Sequence, residues 1–521
     1  MRCWWILGAL LVIWPSEAFH TRSRALVRSN DIVQNTILYG RVQNDQSSQL
    51  VSRKSRVDVD EKAESLDDAS SKNDGSFEVV AILTVYFVQG ALGLARLATS
   101  FYMKDTLHLS PADMASLSGI TTLPWVIKPI YGLLSDSFPI FGYRRRSYLV
   151  LAGGLGCLSW LALGSGYMTS TPGVILAILL GSASVAVSDV VVDSIVVEKT
   201  REAKESQQHQ QEQLQSQEGD NDGTAGDLQS LCWGAASVGG ILSAYSSGSL
   251  LSVMSPQQVF TITALFPLLI SASSFLISEE KITTIDKKDT LSLRSEEQEQ
   301  AVFAGIKTQL SEVWDTVQKP SIYLPVLFIF LWQGTPDPGA AMFYFNTNEL
   351  GFQPEFLGQV RLASSIAALI GVLVYRTYLK EKSIKDIIRW TTLASLPLGL
   401  SQVLLTTHYN RVLGIPDQLF ALADNVVLSV LGQVAFMPTL VLAARLCPIG
   451  SEGTLFATLM SIYNFSGTLS SELGGLLTSA LGVGDGNYGN LTLLVVICTL
   501  SGGVPLLFTN LLDAAVNDEE G

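Results

Sequence analysis

Three charged side chains, Lys128, Asp189 and Asp193, stand in stretches that are otherwise apolar. Asp189 and Asp193 lie four apart in Ser-Asp-Val-Val-Val-Asp, so on a helix they share one face. A second set, Arg96, Asp337, Arg361, Asp424 and Glu472, is embedded in the same way. A charge held in hydrocarbon costs at least about 2.5 kcal/mol unless it finds a partner or a water-filled cavity, and such residues mark substrate paths, proton relays and gates. The chemistry open to them is binding and proton transfer. Nothing points to an enzyme. The four histidines, His20, His108, His209 and His408, fall in loops or in the leader, and no Ser-His-Asp, metal or phosphate-loop spacing occurs. No cofactor and no metal site is expected.

The elements that must position these charges follow from hydropathy. Of 521 residues 48% are hydrophobic and only 15% charged, the balance of a polytopic membrane protein. Apolar stretches of spanning length are expected near 79–103, 112–134, 147–168, 173–197, 227–252, 258–277, 321–343, 355–378, 386–406, 417–446, 452–482 and 489–512. The fold class expected is an all-α integral membrane protein with 12 transmembrane helices in two six-helix halves, 79–277 and 321–512, joined by a central loop at 278–320 and followed by a tail at 513–521. The Gln-rich segment 199–226 reads as a disordered insert. Basic residues crowd one set of loops (Arg144, Arg145, Arg146, Lys199, Lys281, Lys319, Lys380, Lys385 and Arg445 among them), while the opposite loops hold little beyond Lys104 and Arg411. Both termini therefore belong on the basic side. The net charge of −14 lies mostly in tails and loops and argues against nucleic acid as a partner. The five cysteines are scattered and read as packing residues.

The first 78 residues read as a leader. Residues 1–18 have the short apolar run and small-residue end of a signal peptide. Residues 19–57 carry seven Lys or Arg against two acids, with many serines, which is transit-peptide-like. Together they resemble the two-part presequence of algal secondary plastids. Residues 58–78 are acidic and polar and are expected to be a disordered N-terminus.

An internal repeat supports two halves. Gln89-Gly90 precedes Leu107-His108-Leu109-Ser110-Pro111, and Gln333-Gly334 precedes Leu350-Gly351-Phe352-Gln353-Pro354, with Gln-to-Pro separations of 22 and 21 residues. The run Trp332-Gln333-Gly334-Thr335-Pro336-Asp337-Pro338-Gly339 cannot form a regular helix, so the seventh span must break there. A broken span at a repeat interface frees backbone groups for a ligand or is a plain kink. By depth, Lys128 and Asp189 fall at one level toward the basic side, as a coupling pair or a structural bridge between spans 2 and 4. Asp193 is placed to reach the arginine loop. Arg96, Asp337, Arg361, Asp424 and Glu472 fall toward the other side, as a polar cavity or an outer gate.

The segment PWVIKPIYGLLSDSFPIFGYRRR, Pro124 to Arg146, ties these features to a family. Its Gly-Leu-Leu-Ser-Asp and Gly-Tyr-Arg-Arg-Arg parts resemble the loop between helices 2 and 3 of major facilitator transporters, with three extra residues, Phe138 to Ile140. Together with Gln89–Ala98, Lys104-Asp105, Ser188–Ser194 and Gln333–Pro338 it resembles the folate–biopterin transporter family of that superfamily. The second half lacks the arginine latch.

The resemblance implies a secondary active transporter of folates or pterins that works by alternating access with protons, as a monomer, in the bilayer of a plastid envelope or alternatively of the plasma membrane or an endomembrane. It assigns Asp136, Arg144 and Arg145 to gating and Asp189 and Asp193 to coupling or gating. The candidate substrate residues are Gln89, Arg96, Lys128, Trp332, Gln333, Asp337, Arg361 and Asp424. A carboxylate at Asp337 or Asp189 suits a pterin edge, rings at Trp332, Trp125 or Phe330 suit its face, and Arg96, Arg361 or Lys128 suit a glutamate tail. The alternatives are a carrier of another organic anion or amino-acid-like solute, and a non-transporting receptor with a transporter fold.

Overall fold

The computed structural model describes residues 77–168, 170–213, 223–279, 281, 316–445 and 452–515. The expected signal peptide and transit-like segment, nearly all of the acidic N-terminus, and most of the central loop and C-terminal tail lie outside these residues.

Among the described residues the chain makes twelve helical passes, one for each expected span. They are α1 (Phe77–Thr106), α2 (Pro111–Ile120, Leu123–Val126 and Lys128–Ser137), α3 (Arg146–Gly164), α4 (Thr171–Gln213), α5 (Gly223–Leu251) and α6 (Pro256–Leu276). The second set is α7 (Pro320–Gln333, then Gly339–Tyr344 and Phe345–Glu349), α8 (Pro354–Leu379), α9 (Ile384–Thr406), α10 (Asp417–Arg445), α11 (Glu452–Ala480) and α12 (Leu491–Ser501, then Val504–Ala515). Helices α1, α3, α4, α6, α8, α10 and α12 each contain a segment long and apolar enough to cross a membrane. Of the rest, α2 and α7 are broken and α5, α9 and α11 carry more polar residues.

The Gln-rich insert differs from expectation. Helix α4 runs on to Gln213, well past the expected end of span 4. Its extension, Glu-Lys-Thr-Arg-Glu-Ala-Lys-Glu-Ser-Gln-Gln, is rich in straight-chain residues that lose little rotamer freedom in a helix, so local propensity carries the helix out of the bilayer. Residues 214–222 lie outside the description.

The repeat is visible in backbone detail. In mid-course α1 tightens into a turn at 92–93 and α7 breaks outright at 334–338, each at or just after its Gln-Gly pair. Both end in a π-helical turn, Tyr102–Thr106 and Phe345–Glu349. The exits match bond for bond: Leu107 N to Tyr102 O (3.0 Å) and Leu109 N to Met103 O (3.1 Å), against Leu350 N to Phe345 O (3.1 Å) and Phe352 N to Asn346 O (2.9 Å). His108 (φ 51°) occupies the left-handed position that Gly351 (φ 67°) fills in the other half. A proline then opens the next helix, where its missing N–H costs nothing.

Small residues set the close approaches. A Cβ on Gly474 of α11 would lie 2.0 Å from Asp337 O, so α11 packs directly on the break in α7. The two halves meet where a Cβ on Gly358 of α8 would lie 2.7 Å from Gly248 Cα of α5, and where one on Gly475 of α11 would lie 3.0 Å from Ala112 O of α2. These contacts, with Lys104 Nζ donating to Asn348 Oδ1 (2.7 Å) and Tyr344 Oη donating to Leu109 O, tie the halves together on the side opposite the basic loops. Gly474→Ala is expected to lower the unfolding temperature of the detergent-solubilised protein, because backbone cannot yield as a side-chain end can. Its cost is about 1–3 kcal/mol of overpacking. Gly467→Ala on the same helix meets nothing within 4 Å and is expected to leave that temperature unchanged.

Candidate functional site

On the basic side, Lys128 Nζ donates to Asp189 Oδ2 and lies 4.7 Å from the centre of the Trp125 ring. Both charged side chains are largely buried, at 14% and 12% exposure. Asp193 corrects expectation: it accepts a hydrogen bond from the Tyr86 hydroxyl of α1, not from the arginine loop. Asp189 and Asp193 share a face of α4 as expected, but that face turns inward to α1 and α2 rather than down to the loop. Tyr86 escaped sequence reading; its one signal was its place a single helical turn before Gln89.

In the arginine loop only part of the expected latch forms. Arg145 Nη1 donates to Asp136 Oδ1 at 2.6 Å and approaches Ser135 Oγ at 3.4 Å. Arg144 does not join them. The Glu279 carboxylate beyond α6 accepts from the backbone N–H groups of Arg144 (2.5 Å), Arg145 (3.1 Å) and Arg146 (2.9 Å), at the start of α3 where such donors have no helical partner.

Toward the other side a cavity of about 260 Å³ opens between α1, α7, α8 and α10. Arg96 and Arg361 both line it, with Ser100, Asn346 and Asn425 as neutral polar neighbours and Phe343, Phe352 and Phe356 as aromatic walls. No carboxylate is among the lining side chains of the described residues. Arg361 Nη1 and Asn346 Oδ1 are buried without a hydrogen-bond partner, as is Gln89 Nε2 on α1. Two cations lining one cavity, one of them with an unsatisfied N–H donor, suit an anion.

The remaining predicted residues are dispersed. Asp424 does not line the cavity; it is buried between α9 and α10, accepting from Ser401 Oγ (2.8 Å) and Gln402 Nε2 (3.1 Å). One residue further on, a rotation of about 100° brings Asn425 to the cavity instead. Trp332 turns away from the expected stacking role: its indole N–H donates to Thr392 Oγ1 (3.1 Å), and its ring packs with Phe328 and Ile388 in the core of the second half. Phe330 stacks on Phe465 of α11, with centroids 6.0 Å apart. Gln333 ends the inner segment of α7. Asp337 lies in the break, where its Oδ1 accepts from Gly339 N (3.2 Å); among the described residues no cation pairs with it. Its backbone N–H donates to Ser470 O (3.3 Å) and Ser470 Oγ donates to Thr335 O (2.5 Å), so α11 holds the break in place. Glu472 sits opposite Gly119 at the α2–α11 contact.

If the Lys128–Asp189 pair is purely a bridge, its two ends are dispensable together but not singly. Lys128→Met alone is expected to cost about 3–5 kcal/mol, leaving a buried carboxylate unpaired, and Lys128→Met with Asp189→Leu to restore most of that loss. Thermal unfolding of the purified variants reads this directly. Uptake by the stable double variant then separates the two roles: retained accumulation leaves the pair only structural, and lost accumulation makes it functional.

The chain is 50% identical to the folate-biopterin transporter of Synechocystis sp., over 85% of this chain and 83% of that protein. It is 32% identical to probable folate-biopterin transporter 2 of Arabidopsis thaliana (84% and 83% covered) and 30% identical to folate transporter 2 of Plasmodium falciparum (86% and 90%). Among solved structures it superposes on the nucleoside transporter NupG with a TM-score of 0.58 at 12% identity, covering 84% of this chain and 99% of that one. It superposes on a D-xylose-proton symporter with a TM-score of 0.55 at 13% identity (83% and 96%). At such identities these two speak for the fold alone, which is that of the major facilitators. The sequence model of the BT1 family matches residues 89–521, and with half of its residues shared with one relative over most of its length, this chain, an integral multi-pass membrane protein, belongs to the BT1 family.

Proposed function

We propose that this chain is a secondary active transporter of folates and pterins, working by alternating access and coupled to protons. The observation that carries the reading is the cavity that holds Arg96 and Arg361 with no carboxylate among its lining side chains. Two guanidiniums lining one cavity in a membrane protein suit an anion, and a folate tail ending in glutamate brings two carboxylates. The phenyl walls offer flat contact to an aromatic ring system. Asp337, free of any cation among the described residues and set in a helix break, offers paired acceptors to the amine and ring N–H of a pterin edge. The names of the relatives point to the same cargo.

Proton coupling rests on the basic-side cluster. Lys128 is one cation against two carboxylates, Asp189 and Asp193, so the cluster is one positive charge short, and a proton supplies it. The composition of residues 1–57 supports delivery to a plastid envelope, and the transporter unit is taken as a monomer.

The test is uptake of labelled folate and tetrahydrobiopterin by a transport-deficient bacterium expressing the full chain. Saturable uptake that collapses with a protonophore is expected. Arg361→Gln is expected to weaken folate uptake at least about tenfold, the loss of a charge-assisted contact, while sparing tetrahydrobiopterin, which has no carboxylate. Equal losses for both substrates would remove the arginines from tail recognition. Asp337→Asn is expected to abolish uptake of both, and Asp189→Asn to lose pH-driven accumulation while keeping exchange. An unchanged pH dependence in Asp189→Asn defeats the coupling role.

A further inference from the structure

The loop between α2 and α3 carries a feature that transport does not use. Ile140 and Tyr143 pair through two backbone hydrogen bonds, each 3.0 Å, which closes a two-residue hairpin turn over Phe141 and Gly142. Both central residues have positive φ, 54° and 86°, as the mirror-image turns of tight hairpins require. Glycine tolerates that region; a bulky aromatic is strained in it. The ring gains nothing from the protein in return, since Phe141 is 78% exposed and Phe138 beside it is 44% exposed. The hairpin is nonetheless firmly built. Ser147 Oγ donates to Ile140 O (2.7 Å), the Tyr148 hydroxyl is shared between Leu134 O (2.9 Å) and Phe138 O (2.8 Å), and Glu279 holds the backbone behind it. A rigid scaffold thus presents an aromatic tip outward, just where α2 leaves the bilayer and α3 returns to it.

The arginines behind the tip are not equivalent. Arg145 is paired with Asp136, and Arg146 lies over the rings of Phe275 (4.7 Å) and Tyr143 (5.4 Å). The guanidinium of Arg144 is exposed and, among the described residues, has no hydrogen-bond or ion-pair partner. An exposed aromatic beside a cation without a partner among the described residues, in a loop joining two spans on the basic side of the protein, is the composition that interfacial anchors use.

We propose that this hairpin is a lipid anchor: Phe141 enters the boundary between headgroups and acyl chains, and Arg144 takes the phosphate of an anionic phospholipid. Its occupant is the bilayer surface itself, because the loop cannot leave that surface and both charge and apolarity match it.

The test uses the full chain in phosphatidylcholine vesicles with increasing phosphatidylglycerol. The added emission of Phe141→Trp, measured against the wild type, is expected to be quenched by lipids brominated high on the acyl chain. Quenching by aqueous iodide instead would place the tip in water and overturn the proposal. Phosphatidylglycerol is expected to raise the unfolding temperature of the wild type, and Arg144→Gln to need about fivefold more of it for half the effect. An equal requirement overturns the headgroup contact, and stabilisation by inorganic phosphate alone overturns the lipid. Phe141→Gly guards against a merely structural role. Relief of the strained φ is expected to keep or raise its unfolding temperature in detergent, while in anionic vesicles it falls below the wild type. A fall in both media would mark Phe141 as structural and sink the anchor.

Discussion

Charge inside a bilayer has to be balanced within a few ångströms, and this structure is arranged around the two places where it is and is not. On the basic side, Lys128 and Asp189 close on each other across α2 and α4, with Asp193 and Tyr86 bound alongside. On the other side Arg96 and Arg361 line a cavity with no carboxylate among its lining side chains in the described residues. The first cluster carries more negative than positive groups and the second only positive ones. In the proposed function a proton complements the first and an anion the second. That asymmetry resides in side chains rather than in the fold, which transporters of unrelated cargo share.

The backbone makes that arrangement possible. Helices that would otherwise run straight through are interrupted in α1 and α7, and glycines on α5 and α11 let neighbouring backbone lie against the interruptions. The polar groups freed by the breaks are thereby met by protein instead of lipid, the one circumstance in which irregular backbone survives at this depth. The repeat extends to the π-turns and the left-handed residues at the exits, so both halves use one solution for leaving the membrane.

Much of this was legible in the sequence because it depends on periods and prohibitions. Apolar runs of fixed length gave the passes, two prolines and two glycines within a few residues gave the break in α7, and the four-residue spacing of Asp189 and Asp193 gave their common face. Depth along a helix was also readable, and it grouped Arg96 with Arg361. What a linear count could not give was azimuth. Asp424 stands at the right level but turns toward α9, and Asn425, one position later, takes its place; Trp332 turns into the second half's core in the same way. Nor could sequence show partners brought from afar, such as Tyr86 for Asp193 or Glu279 for the arginine triplet, because neither has a motif of its own.

Glu279 also has a mechanical meaning. It stands just beyond the end of α6, and its carboxylate accepts from the backbone N–H groups of the arginine triplet at the start of α3. The end of α6 is therefore held to the loop carrying Asp136 and Arg145. Any shift of that end of α6 is passed directly to the loop.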